Sequence, residues 1–369
     1  MAKISFTGDF LCYPSITHDY GPTYDSLWSH AGKLKDCDYL VGNLESPIAG
    51  ADMLYTHERY CFNTPEGYAE ALRRAGFDMI TLANNHCMDR CEEGIFATLA
   101  NLRGMGFDTL GMYTSKEERD TIFVKEFDGV KVAFIDYTYG TNAFAHQRFL
   151  TRPYLVNLFQ PEETRKGSVH LLDSNEEIAA HVARIYADDG NEEYECVRPY
   201  LEQLKSDIQR AKEEADFVIM IMHSGGQYNI EIDPYTRHLA SLIRSYGADI
   251  IVGHHPHIIQ PCEWNGDHLT VYSIGNFIDS IKIIGEQEMD SRYNVVLHLD
   301  IKRIDGKVVV GKSFSLYKVV EGEDYLYTAD TYDLYKDQPS EKLREDILFF
   351  ANRFAGKELY TEVQEIYAL

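Results

Sequence analysis

Short apolar runs that end in polar motifs recur along this chain, and that recurrence constrains the fold more than any other feature. Residues 3–7, 39–42, 79–82, 130–136, 217–222, 250–252 and 270–273 form such runs, which read as buried strands ending in loops. Between them, residues 65–75, 93–105, 200–215 and 235–246 place apolar side chains at helical spacing beneath charged outer faces. Strand and helix in turn imply an α/β layered core. At 369 residues the chain fits one large α/β unit with insertions and can bury a sizeable core.

Two stretches break the rhythm. Residues 140–199 carry aromatic, basic and acidic clusters and read as an insertion with its own helix near 175–186, lying over or beside the site. From residue 319 the chain turns rich in tyrosine and charge, and 340–355 has amphipathic helical spacing after Pro339. Repeats, low-complexity tracts and Gly/Ser linkers are absent, so the expected organisation is a domain over 1–318, with the insertion at about 140–199, and a C-terminal helical extension over 319–369 docked on it.

The formal net charge of −24 argues against a generic affinity for nucleic acid or an anionic membrane, both of which would repel the average surface. An anionic substrate therefore needs a locally positive site, which bound divalent metal supplies. The opening MAKISFTGDF moves straight into a strand-like run, and no stretch reaches the length of a membrane span. Seven scattered cysteines read as reduced thiols. Cys87 and Cys91, beside His86, lack a second cysteine pair at ligand spacing, so a thiolate zinc site is not expected. The expectation is a cytoplasmic protein without stable membrane insertion.

The chemistry sits where the apolar runs end. Gly8-Asp9, Asn43-Leu44-Glu45, Asn84-Asn85-His86, His223-Ser224-Gly225-Gly226 and Gly253-His254-His255-Pro256-His257 each follow such a run. In layered α/β proteins, loops at the carboxyl ends of strands are where ligand groups converge. Taken singly, Asp9, Asn43 and Asn85 are ordinary turn residues, Glu45 a cap before Pro47, and His223 a core histidine. The GHHPH motif resists such an explanation, since three imidazoles within four residues are an expensive way to fill a core. His255 and His257 can instead present nitrogens to a pair of metals, with His254 behind them. Asp89 stands three residues after His86, a spacing at which its carboxylate can orient the imidazole for proton transfer; it also suits a first-turn acid on the helix dipole. Two carboxylates, an amide oxygen and three imidazoles suit manganese, zinc or ferrous iron. A metal pair bridged by one carboxylate is a hydrolytic arrangement.

With these residues assembled, the chain resembles the CapA family of capsule synthesis, or poly-gamma-glutamate biosynthesis, proteins, a branch of the metallophosphatase-like fold. The resemblance runs through GDF at 8–10, NLESP at 43–47, AGFDMITLANNHCMD at 75–89, EEGIFATL at 92–99, HSGGQY at 223–228, GADIIVGHHPH at 247–257 and YSIGNF at 272–277. It implies a sandwich of two mixed β-sheets flanked by helices (α/β/β/α) with two metals in the strand-end loops. Asp9, Glu45 and His257 would hold one metal, and Glu45, Asn85, His223 and His255 the other. His86 would sit near the leaving group, and Asn276 would act behind a ligand or on substrate. Two features depart from the pattern: Leu11 stands where ordinary metallophosphatases carry a histidine, and the membrane anchor usual for polymer export is not found.

The leading expectation is a metal-dependent hydrolase or transferase acting on a phosphoester or a gamma-glutamyl amide of an anionic small molecule or polymer. Arg148, Arg152, Arg165 and Lys166 in the insertion are candidates to meet that charge, or simply solubilise the surface. The alternatives are a non-catalytic binding component of a polymer-synthesis assembly and a nucleotidase-like or phosphodiesterase role.

Overall fold

The computed structural model describes residues 1–19, 24–58, 60–162, 175–186, 190–265, 268–279, 289–322 and 325–369. Arg165 and Lys166 lie outside the described residues. The first sheet contains β1 (Ala2–Phe10), β2 (Tyr39–Leu44), β3 (Met79–Thr81), β4 (Asp108–Leu110), β11 (Asn276–Ile278), β12 (Tyr293–Ile304), β13 (Lys307–Glu321), β14 (Leu326–Asp330) and β15 (Tyr367–Ala368). Its order is β14-β13-β12-β1-β2-β3-β4, with β11 also beside β1 and β15 beside β13. The second sheet, in the order β5-β6-β7-β8-β10-β9, contains β5 (Phe123–Phe127), β6 (Val130–Thr138), β7 (Phe217–His223), β8 (Ile250–His254), β9 (Cys262–Asn265) and β10 (His268–Val271). Both sheets are mixed: β1 to β4 run parallel and β12 to β14 antiparallel, while β6, β7, β8 and β10 are parallel between antiparallel β5 and β9.

Each central strand is apolar on both faces because each face has a layer to bury against. On β7, Phe217, Ile219 and Ile221 enter the core between the sheets, whereas Val218, Met220 and Met222 face the helices outside. On β2, Tyr39 and Val41 point between the sheets and Leu40 and Leu44 outward. Helices Glu66–Ala75 and Cys91–Gly104 cover the first sheet, and Glu192–Glu214 and Pro234–Tyr246 the second. The result is the expected four-layer arrangement of two mixed sheets flanked by helices.

Capping accounts for several of these boundaries. Asp233 accepts a hydrogen bond from Thr236 N at 2.9 Å, Pro234 occupies the first turn, and Gly247 at φ +117 closes the helix. Helix Glu192–Glu214 begins earlier than its spacing predicts and passes through Pro199. A proline there removes one backbone donor. Asn191 caps the start by accepting from Tyr194 N, and the buried face of Val197, Leu201, Leu204 and Ile208 carries the helix through. The insertion's own helix is present over Asn175–Ile185.

Toward the C-terminus the structure differs from the tail expected from residue 319. Residues 319–321 end β13 and Leu326–Asp330 form β14, completing an edge of the first sheet. Helix Glu341–Ala355 follows and docks against that sheet, with Phe350 on Tyr293 at 4.3 Å and Phe354 on Phe314 at 4.7 Å between ring centres. Among the described residues, no helix is long and apolar enough to cross a membrane.

Candidate metal centre

The carboxyl ends of β1, β2 and β3 in one sheet and of β7 and β8 in the other point to the same place. Register does the alignment: Asp9 lies beside Asn43 and Asn276, Asn43 beside Thr81, and His223 beside His254. Two glycines permit the close approach of the strands. A Cβ on Gly8 would meet the Gly275 carbonyl oxygen at 1.9 Å, and one on Gly253 would meet that of Tyr272 at 2.0 Å. Beyond β8 the chain folds sharply, with His255 at φ +97 and His257 at φ +62, the left-handed region that non-glycine residues avoid. Tyr228 N donates to Pro256 O at 2.8 Å and ties the HSGGQY loop to this turn.

Six side chains singled out by sequence are thereby buried together: Asp9, Glu45, Asn85, His223, His255 and His257. Their donor atoms form two overlapping groups, Asp9 with Glu45 and His257, and Glu45 with His223 and His255; within each group the atoms lie within 4.8 Å of one another. Glu45 belongs to both. Its Oε1 stands 3.6 Å from His223 Nε2 and 3.9 Å from His257 Nε2, and Asn85 Oδ1 lies 2.7 Å from His223 Nε2.

The cost of burial tests whether these residues fit a metal. Asp9 and Glu45 are both fully buried, and neither Glu45 oxygen accepts a hydrogen bond among the described residues. A buried carboxylate with unspent lone pairs costs several kcal/mol unless a cation faces it. Oxygen and nitrogen donors gathered around it are compatible with a divalent ion of the manganese, zinc or iron kind. Asp9 is further supported by Asn43 Nδ2, which donates to its Oδ1 at 2.7 Å, by His255 N at 3.1 Å and by His254 Nδ1, 2.9 Å away. Burial alone would raise the Asp9 carboxyl, but the His254 charge, with help from His257 and His223, holds it well below the usual range. Burial works to lower the His257 imidazole, and the charges of Glu45 and Asp9 outweigh it and push it up to about 9.

His86 and Asp89 stand beside this set. His86 Nδ1 lies 2.7 Å from Asp89 Oδ2, which also accepts from Phe62 N at 2.6 Å. Burial disfavours the charged imidazole, yet Asp89 more than offsets it and the His86 pKa is raised. The Phe62 ring packs 4.4 Å from that of His86.

The remaining candidates are placed differently from one another. Asn276 is buried, with its Oδ1 against His257 Nδ1 at 2.7 Å. Arg148 Nη1 donates to Cys61 Sγ at 3.1 Å and to the carbonyl of Asp89, so residues 140–162 lie against the His86 loop. Arg152 is occupied elsewhere, with its Nε donating to Glu92 Oε2 at 2.8 Å. Several residues here were not foreseen. Tyr139 packs 4.8 Å from His255 and Tyr228 5.5 Å from His257, and His146 Nε2 stands 3.7 Å from Asp89 Oδ1. Leu11 packs with Tyr13, Phe62 and Tyr228, an apolar wall where a histidine would otherwise stand. Tyr139, one residue past β6, and Tyr228, in the HSGGQY run after β7, carry no spacing signal.

The bacterial capsule synthesis protein PGA_cap family matches residues 3–280. The chain belongs to that family. Among PGA_cap-related proteins it is 25% identical over 281 residues to "PGA biosynthesis protein CapA" of Bacillus subtilis (strain 168), covering 74% of this chain and 62% of that protein. It is 27% identical over 267 residues to "Capsule biosynthesis protein CapA" of Bacillus anthracis, covering 71% of this chain and 55% of that one. The chain thus spans less than two thirds of the length of these relatives. Among solved structures, a putative 5'-nucleotidase from Staphylococcus aureus in complex with alpha-ketoglutarate is similar at 14% identity and a TM-score of 0.44, over 94% of this chain and 59% of that one. A hypothetical protein from Thermus thermophilus is similar at 14% identity and a TM-score of 0.41, over 89% of this chain and 99% of that one.

Proposed function

We propose that this PGA_cap family member is a metal-dependent hydrolase or transferase of capsule or PGA biosynthesis, acting on a phosphoester or gamma-glutamyl amide of an anionic small molecule or polymer. The observation that carries the reading is Glu45, whose fully buried and otherwise unspent carboxylate is common to both donor groups. Asp9, Glu45 and His257 would hold one ion, and Glu45, Asn85, His223 and His255 the other. Divalent ions there supply Lewis-acid activation of a water and of the scissile group.

The chain's own residues do the rest. Asp9 and Glu45 set the negative charge that retains the cations. Tying Nδ1 of His86 to Asp89 leaves its other ring nitrogen to exchange a proton with a leaving atom or to meet developing negative charge. Leu11, Tyr13, Phe62 and Tyr228 form an apolar flank that keeps bulk water away on one side. Arg148, beside the His86 loop, is the described arginine of the insertion best placed to meet an anionic substrate.

The test is turnover of a generic phosphodiester and of a gamma-glutamyl peptide by the purified chain supplied with manganese or zinc. Metal-dependent hydrolysis of either supports the reading and names the bond. A chain that binds metal and turns over neither would favour a binding role in polymer assembly.

A further inference from the structure

A carboxylate outside the donor set is linked to it through two hydrogen bonds. Asp279, fully buried just past β11, accepts from Asn276 Nδ2 at 2.6 Å. Asn276 Oδ1 in turn lies 2.7 Å from His257 Nδ1. Chemistry allows one direction for this chain. An ionised carboxylate only accepts, so with Asp279 ionised Asn276 turns its NH2 to Asp279 and its oxygen to the imidazole. His257 Nδ1 must then carry a proton, and Nε2 is the nitrogen left to a cation once the ring is neutral. That Nε2 is the ring nitrogen 3.9 Å from Glu45 Oε1. One buried carboxylate thus fixes both the flip of an amide and the tautomer of a ligand imidazole.

Local structure gives the relay something to do. The group of Asp9, Glu45 and His257 contains one imidazole where its neighbour contains two, and Leu11 supplies no further donor. His257 also sits on left-handed backbone, φ +62, a conformation that persists only when surrounding contacts hold it. A competing acceptor is close by, since Asp9 Oδ2 lies 3.4 Å from the same Nδ1. The nearer Asn276 oxygen draws that proton away and leaves Asp9 oxygen for a cation.

We propose that Asp279, acting through Asn276, is a positioning residue that fixes His257 for the ion position built with Asp9 and Glu45. This rests on the metal-centre reading, and the experiment separates the two. Calorimetric titration of the chelator-stripped full chain with Mn2+ alone should show two binding steps. Asp279→Asn frees the Asn276 amide to flip and should weaken one step ~10–100-fold while sparing the other. Absence of Mn2+ binding by the parent chain would overturn the metal-centre reading and this proposal with it. Two steps in the parent, both unchanged or equally weakened in Asp279→Asn, would overturn the relay alone. Should the variant not fold, the 15N spectrum of the Zn2+-loaded parent chain decides, with His257 assigned by comparison with His257→Gln. The ring proton is expected on Nδ1, and a proton on Nε2 would overturn the proposal.

Discussion

At the scale of single residues, His86 and Asp136 are both buried but are held by different partners. His86 lies 5% exposed with Nδ1 committed to Asp89, a geometry suited to proton transfer. His86→Ala should therefore lower turnover by ~10²–10⁴-fold. Metal content should remain near that of the parent by elemental analysis, because His86 belongs to neither donor group; loss of metal together with activity would remove the acid role. Asp136 makes a different statement. Its Oδ2 accepts from Leu82 N at 3.1 Å and Ala83 N at 2.9 Å, anchoring the backbone that leads into Asn85 and His86. Burial nevertheless pushes its carboxyl up to about 8 despite those bonds. The unfolded chain releases this proton near pH 4, while the folded chain holds it until about pH 8. Stability from this group is thus fully present below pH ~4 and falls by about 1.4 kcal/mol per pH unit until the folded pKa is passed. Asp136→Asn keeps an acceptor for both amides, so urea melts from pH 5 to 8 should show a flatter pH dependence than the parent. An unchanged slope would mean that Asp136 is ionised in the folded chain.

At the scale of elements, the legible parts were those buried on two sides. β7 and β8 carry apolar runs with nothing exposed to interrupt them, so the strands and the histidines at their ends stood out in the sequence. The antiparallel edge was harder to read. Half-exposed positions interrupt parts of β12 and β13, so neither stood out as an apolar run, and the last residues of β13 together with β14 read as the start of a tail. One signal was there: Asp305 and Gly306, at φ +50 and +80, form the tight turn between them. The helix expected over 200–215 was read too short, because its buried face extends back through Pro199 to Val197. Within the site, side chains on the strand-end motifs were visible in sequence, whereas Tyr139, Tyr228 and Asp279 reach it through packing that no spacing records. The C-terminal helix offers a simple test at this scale. Ser340 accepts from Leu343 N at 3.2 Å, and Ser340→Ala should cost about 1 kcal/mol in chemical denaturation while leaving metal binding untouched. A loss well below that would mean that docking of Phe350 and Phe354 carries the helix without its cap.

At the scale of the whole molecule, two sheets packed face to face deliver their carboxyl strand ends to one point, and that convergence makes the centre. The same packing buries two carboxylates, Asp9 and Glu45, in a chain already at −24, so the folded state should gain from divalent cations bound there. A ligand that binds only the folded chain stabilises it by about 2.7 kcal/mol at a hundredfold excess over its Kd. Manganese or zinc should accordingly raise the melting temperature of the chelator-treated protein, whereas magnesium, which favours oxygen donors, should do so less. Equal shifts from all three ions would point to surface screening instead. The central claim, that Glu45 joins two donor groups into a metal centre, is tested most directly by elemental analysis of the parent chain and Glu45→Gln after loading with manganese and desalting. The parent should retain divalent metal and the variant, nearly identical in shape, should lose it while remaining folded. Equal metal in both, or none in the parent, would contradict the account.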